Sequence, residues 1–281
     1  MMNKEELKRA DHLIDLALEE DIAGGDLTTE SLIPAESQKE AVLIAKEDGV
    51  IAGLEIAERV FRRFDDNLQW KANVNDGDPV TKGDLIVSFR GSYQALLTAE
   101  RTALNFLQRL SGIATAARQY SQAICTTKTQ ILDTRKTLPG YRLLDKYAVR
   151  TGGAHNHRIG LFDLVLIKDN HIDICGGISQ AVDQARKYVP ESIHIEVETT
   201  TMEQVREALK AKADIIMLDN MTANMMKQAV VLIDGRAKVE ASGNITLSRL
   251  PEIAATGVDY ISVGALTHSV RALDISQRIK E

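Results

Sequence analysis

Within residues 128–168 the chain carries eight Lys or Arg and three Asp, a local charge of +5 in a protein whose 34 Lys+Arg and 40 Asp+Glu leave it at −6. The remaining residues therefore hold −11. Arg135, Lys136, Arg158 and Lys168 belong to this basic island, and His155 and His157 fall inside it. Gathered in one pocket, such groups suit a ligand with several negative charges, because Arg grips carboxylate or phosphate in a bidentate fork and Lys acts as a compact point charge. The acidic total argues against a general nucleic-acid partner. Nucleophilic chemistry lacks its constellations: there is no Gly-x-Ser-x-Gly, neither Cys125 nor Cys175 has a His beside it, and the His155 and His157 pair lacks the further ligands of a zinc site. The cysteines read as reduced structural thiols, and His12, His155, His194 and His268 as structural.

Residues that act together must be brought to one place. Apolar strand cores at 130–132, 164–167, 193–197, 215–218, 238–241 and 260–263 alternate with amphipathic segments such as 177–187, 202–211 and 221–233. This is the rhythm of repeated βα units on a parallel sheet. Six units, against the eight of a full barrel, predict an incomplete α/β barrel, and no Gly-x-Gly-x-x-Gly follows the first strand to suggest a doubly wound sheet.

In α/β barrels the site sits where the strands end. After the first strand come Asp133, Thr134, Arg135 and Lys136; after the second, Lys168 to His171; at the third, Glu196 and Glu198; at the fourth, Asp219 and Asn220. The fifth runs into Ser242, Gly243 and Asn244, and the sixth into Gly264, Ala265 and Leu266. His157 and Arg158 join from the loop 151–158. The last two glycine-bearing loops leave backbone N–H groups at helix starts, a cradle for phosphate. Glu198 and Asp219 suit Mg²⁺ or ribose hydroxyls.

The first 110 residues read differently. An amphipathic helix is expected over 3–20, a loop with capping chemistry over 26–30, and short strands at 41–45, 50–52, 68–74 and 85–89 around one helix at 54–64. A long helix over 95–122 carries Arg101, Asn105 and Arg109 on one polar stripe. The expected domains are an N-terminal α+β sandwich (1–112), an α/β barrel (113–268) and a C-terminal helix (269–281) packing back on the first domain. No apolar run approaches the roughly 18 residues of a membrane span, and the opening Met-Met-Asn-Lys-Glu-Glu-Leu-Lys has no apolar stretch, so no membrane role and a cytoplasmic location are expected.

Five separated strings carry a family likeness: Glu100 to Thr115 (ERTALNFLQRLSGIAT), Asp133 to Gly140 (DTRKTLPG), Asn156 to Arg158 (NHR), Ile167 to His171 (IKDNH) and Val263 to His268 (VGALTH). With Gly25 to Thr29 (GDLTT) near the start, the chain closely resembles quinolinate phosphoribosyltransferases over nearly its whole length. The resemblance implies that quinolinate and phosphoribosyl pyrophosphate give nicotinate mononucleotide, CO₂ and pyrophosphate with Mg²⁺. It implies an open-faced α+β sandwich followed by an incomplete barrel, in a homodimer or larger assembly where Arg101 reaches the neighbouring subunit's site. Arg135, Lys136, His157, Arg158 and Lys168, with Thr134 beside them, match the substrate pocket. Lys136, Lys168, Glu198 and Asp219 take the catalytic positions, Glu198 and Asp219 also lying near ribose and metal. Ser242, Gly243 and Asn244, then Gly264, Ala265 and Leu266, match the phosphate loops.

Two positions depart from the family pattern: Ala154 stands where a third glycine is frequent, and Asn244 where glycine is also common. Glu196 and Glu198 are both candidates for the functional acid, with Glu198 favoured. Rival readings are a sister phosphoribosyltransferase that takes nicotinate, a Schiff-base aldolase using Lys136 or Lys168, and a basic surface that binds an acidic protein.

Overall fold

The computed structural model describes residues 1–280. Two compact units share the chain: the first comprises Met1–Arg118, Thr137–Gly153 and the run from Leu266 onward, the second Gln119–Lys136 and Ala154–Ala265. In chain order the strands are β1 (Gln38–Ala45), β2 (Gly49–Val50), β3 (Gln69–Ala72), β4 (Pro79–Val80), β5 (Leu85–Ser92) and β6 (Gln130–Leu132). They continue with β7 (Val165–Ile167), β8 (Ile195–Thr199), β9 (Ile215–Asp219), β10 (Lys238–Ser242), β11 (Tyr260–Ser262) and β12 (Ile275–Ile279).

The first unit is built on an antiparallel sheet in the order β12-β1-β5-β3, with β2 and β4 paired separately. Helix Leu54–Arg62 buries Leu54, Ile56, Ala57, Val60 and Phe61, and the Phe61 ring sits 4.9 Å from Phe89 and 5.9 Å from Trp70. Helix Glu100–Ala123 buries an apolar face that includes Leu104, Leu107, Leu110 and Ile113. Gly112 on that helix is required by close approach, since a Cβ there would stand 2.2 Å from the Arg271 carbonyl oxygen.

Three local expectations are corrected. Residues 26–30 open a helix, Leu27–Leu32, whose N-cap Asp26 accepts the Thr29 N–H at 2.9 Å. The capping chemistry was real, and six residues were too few to show helical periodicity. The helix expected over 95–122 is two helices, Tyr93–Thr98 and Glu100–Ala123, meeting at Ala99. The expected C-terminal helix is instead strand β12, paired antiparallel with β1 from Ala41↔Ile279 to Ala45↔Ile275. Ile275-Ser-Gln-Arg-Ile279 has apolar residues at its first and last positions, and as a strand it supplies backbone partners to an edge of β1 that a helix would leave unpaired.

The second unit is a six-stranded parallel sheet in the order β6-β11-β10-β9-β8-β7. Helices Ile178–Tyr188, Met202–Lys210 and Ala223–Ile233 return the chain between strands. The first strand matches its expected residues, and the other five differ by no more than two residues at either end. Beside β6, His155 extends the ladder: its N–H donates to the Ile131 carbonyl at 2.8 Å and its carbonyl accepts the Asp133 N–H at 3.0 Å. The result is an open, incomplete α/β barrel, with Ile195, Val197, Ile216, Leu218, Ala241 and Ile261 fully buried in its strands.

Arg109, one of the polar stripe, has a structural partner in the first unit. Its Nη2 donates to Asp145 Oδ2 at 2.7 Å and its Nε to Oδ1 at 3.1 Å, and the Asp145 side chain has no exposed surface. Burial raises the Asp145 pKa, with the Arg109 hydrogen bonds opposing the rise. Arg109→Met should therefore lower stability by about 3 kcal/mol, since it strands a buried acid. Arg206→Ala, which breaks an exposed pair with Glu203, should cost nothing measurable in the same urea titration.

Candidate anion-binding active site

Because the six strands of the second unit run parallel, their C-terminal ends and the polar residues that follow lie along one edge. Buried Asp133 directly follows β6, and its carboxylate accepts from Asn156 Nδ2 at 2.6 Å and from the His157 N–H at 2.8 Å. Those bonds fasten the segment carrying His157 and Arg158 beside the first strand end. Further along, the Asp163 carboxylate gathers the Ile159 and Gly160 N–H groups, and Arg158 Nη1 donates to the Leu164 carbonyl at 3.2 Å.

The cations are crowded before any ligand is present. Burial lowers the Arg158 pKa first, and the positive charge of Arg135 lowers it further. Thr134 Oγ1 accepts the Lys136 N–H at 3.0 Å, shaping the turn that presents the exposed Arg135 and Lys136. A half-buried guanidinium that feels a second positive charge favours an anion beside it. After β7, Lys168 sits at the start of helix Asp169–Cys175, and its N–H donates to His171 Nδ1 at 2.9 Å. Lys168 Nζ donates to Glu198 Oε2 at 2.5 Å, linking the ends of β7 and β8.

Asp219 and Ser242 are register partners at the ends of β9 and β10. Asn220, with a left-handed φ of 54°, donates from Nδ2 to Asp219 Oδ2 at 2.7 Å and from its N–H to the Ser242 carbonyl at 2.9 Å. Asn244 Nδ2 donates to Asn220 Oδ1 at 3.0 Å. Gly243 (φ +91°) and Asn244 (φ 50°) are consecutive left-handed residues, the kind of turn in which backbone N–H groups line an anion-binding concavity. Asn244 adopts the left-handed conformation that a glycine would take without strain, which is why an amide is tolerated there. Gly264 and Ala265 follow β11 and are half-buried. Leu266, a buried side chain, and Arg101, exposed on helix Glu100–Ala123, both belong to the first unit.

Beneath the mouth lies a cluster that the sequence reading half found. His157 Nε2 is 3.0 Å from Glu196 Oε2 and 3.4 Å from Glu240 Oε2, with both glutamate side chains fully buried. Ser262 Oγ is hydrogen-bonded to Glu240 Oε1. The other face of the ring is occupied too, since the Arg158 N–H donates to His157 Nδ1 at 2.7 Å. Burial alone would lower the His157 pKa, but the two carboxylates outweigh it and favour the protonated ring edge that faces them. Burial, then the Glu240 charge, raises Glu196 in turn. The Arg158 N–H needs a bare Nδ1 to accept it, so the ring proton lies on Nε2, the edge that faces the carboxylates. Glu240 was missed in sequence; its signal is an acid inside the apolar strand Lys238-Val-Glu-Ala-Ser242.

Two family models match the chain: quinolinate phosphoribosyl transferase, N-terminal domain, over residues 26–111, and its C-terminal domain over residues 113–278. The chain is 46% identical over 278 residues to a probable nicotinate-nucleotide pyrophosphorylase (carboxylating) of Bacillus subtilis, covering 99% of this chain and 95% of that one. It is 47% identical to a mitochondrial quinolinate phosphoribosyltransferase (decarboxylating) of Nicotiana tabacum, covering 95% and 81%. The solved nicotinate-nucleotide pyrophosphorylase of Francisella tularensis superposes with a TM-score of 0.94 at 42% identity, covering 97% and 96%.

The loop after β10 offers a direct test of its geometry. A Cβ on Gly243 would stand 2.2 Å from Asn220 Oδ1 in a backbone conformation that L side chains rarely adopt. Gly243→Ala should cost about 1–3 kcal/mol in chemical denaturation and should weaken binding of inorganic pyrophosphate by calorimetry.

Proposed function

The chain belongs to the quinolinate phosphoribosyltransferase family, and we propose that it transfers the phosphoribosyl group of phosphoribosyl pyrophosphate to quinolinate, releasing pyrophosphate and CO₂ and leaving nicotinate mononucleotide for NAD synthesis. The observation that carries the substrate reading is the run of cations at neighbouring strand ends: Arg135 and Lys136 after β6, Lys168 after β7, and Arg158 on the segment that Asp133 fastens beside β6. Quinolinate is a dicarboxylate, and its co-substrate carries a phosphate and a pyrophosphate. Both need cations already in place, and Arg135, Lys136, Arg158 and Lys168 supply them within one unit.

The chemistry follows from where charge moves. The quinolinate ring nitrogen forms a bond to the anomeric carbon of ribose as the bond to pyrophosphate breaks, so positive charge grows on the sugar and negative charge on the leaving group. Lys136 and Lys168 stabilise the departing oxygens, and Glu198 and Asp219 the cationic sugar. Ser242, Gly243, Asn244, Gly264 and Ala265 bind phosphate through their loops. Once alkylated, the pyridinium nitrogen accepts the electron pair released as the adjacent carboxylate leaves as CO₂, and a proton then replaces it on the ring carbon. That second step needs orientation and a dry pocket more than a base.

Mg²⁺ fits this donor set: Glu198 and Asp219 are carboxylates on adjacent strands, hard oxygen ligands of the sort Mg²⁺ takes beside substrate phosphates. When bound it would neutralise charge on the pyrophosphate. We place the enzyme in the cytoplasm, in keeping with its two unpaired cysteines and with no described helix long and apolar enough to cross a membrane. We also read it as a homodimer or larger, with exposed Arg101 completing a neighbour's site.

Quinolinate-dependent release of both CO₂ and pyrophosphate is the expected activity, with nicotinate giving no comparable turnover. Lys168→Ala and Arg135→Ala should each lower turnover at least about 100-fold with the circular dichroism spectrum unchanged. Near-normal rates in both would remove the pocket assignment. Mixing inactive Arg101→Ala and Lys168→Ala proteins should restore activity through hybrid assemblies, and no recovery would sink the placement of Arg101 in a neighbour's site.

A further inference from the structure

We propose that Glu196 and Glu240 are positioning residues for substrate binding: as buried hydrogen-bond acceptors they hold the Nε2 edge of His157, so that the Nδ1 edge captures the Arg158 N–H and fixes Arg158 toward the quinolinate anion. The inference rests on the reading of Arg158 as a substrate ligand.

The argument begins with cost. Two glutamates with no exposed surface are an expensive choice for the interior of a parallel barrel, where apolar residues of similar volume are often as stable or more so. Among the described residues no hydrogen-bond donor other than the imidazole edge lies against the Glu196 oxygens or Glu240 Oε2. Glu240 is itself seated by Ser262 from the neighbouring strand β11, which leaves its second oxygen turned to the ring. The imidazole therefore lies between two acceptors below and a backbone N–H at Nδ1. A ring flipped about its Cβ–Cγ bond would put a carbon-bound hydrogen where Nε2 now faces the carboxylates, and another where Nδ1 accepts the Arg158 N–H, losing both contacts. The other charges facing His157 and Arg158 are Asp133, which anchors the His157 N–H, and Arg135 and Asp163, which act on Arg158. None of these orients the ring plane. Fixing a loop residue's backbone by an imidazole, and the imidazole by the sheet, transfers the rigidity of the strands to a guanidinium that must wait for its anion.

The same three side chains place one ligand atom each within 4.8 Å of one another, as a metal site would. The Arg158 N–H already occupies Nδ1, and Nε2 stands at a hydrogen-bonding distance of 3.0 Å from Glu196 Oε2, so the proposal assigns a proton to Nε2 and no metal.

The test separates acceptor geometry from mere packing. Glu196→Leu and Glu240→Leu should fold, with thermal midpoints at or above that of the parent. Each should raise KM for quinolinate about tenfold or more while KM for phosphoribosyl pyrophosphate stays within about twofold. Glu196→Gln and Glu240→Gln, which keep an acceptor oxygen, should restore quinolinate KM to within about threefold. Nitrogen-15 NMR of the free protein should show His157 with bare Nδ1 and protonated Nε2 in the parent and the Gln variants, and averaged ring nitrogens in the Leu variants. Unchanged quinolinate KM in the Leu variants, an equal rise for both substrates, or no rescue by Gln would overturn the proposal. So would one divalent ion per chain in the purified parent, detected by elemental mass spectrometry and lost in Glu240→Leu. If the parent shows no quinolinate turnover, the enzymatic reading fails by itself; the imidazole nitrogen signals still decide whether the carboxylates orient the ring.

Discussion

Like charges must be assembled before the anion that reconciles them arrives, and the second unit is arranged around that constraint. Arg158 is partly stripped of water and feels the positive charge of Arg135, a combination that depresses its pKa. Acids hold the surroundings in place at graded depth. Buried Asp133 fastens the backbone of the loop, Glu196 and Glu240 lie under His157, and Glu198 meets Lys168 nearer the mouth. A strongly positive surface thus rests on a negative floor.

The floor is possible because of strand periodicity. Residues two apart on a strand share a face, so Glu196 and Glu198 point the same way at different depths, one fully buried and one partly exposed. The same relation links Glu240 to Ser242, the deeper residue supporting the ring and the outer one beginning a phosphate loop. One face of each strand therefore serves both support and contact. Parallel pairing then brings these faces together without any loop having to carry the support itself.

Much of this was legible in the sequence, and for identifiable reasons. A buried parallel strand is a short apolar run that ends on a polar residue, so β6 to β11 announced themselves and their ends announced the site. Strand β12 did not, because five residues with apolar ends have no helical or strand signature that outweighs their position at the end of the chain. The helix after Asp26 was hidden by its length. Glu240 was overlooked because a single acid within a strand reads as surface until its neighbours are known. The contact of Arg109 with Asp145 spans 36 residues, and no spacing rule reaches that far.

Strand β12 also shapes how the protein is made. The first unit draws on three separate stretches of chain, and the edge of β1 that begins at residue 38 is closed only by residues 275–279. During synthesis the chain emerges from its N-terminal side, so the sheet whose first strands appear earliest remains unfinished until residues 275–279 are released. The parallel sheet, whose strands all lie between residues 130 and 262, has its full set before then. A ribosome-bound nascent chain stopped short of β12 therefore exposes a bare strand edge, the template on which another chain pairs, and β12 acts as the seal that closes it.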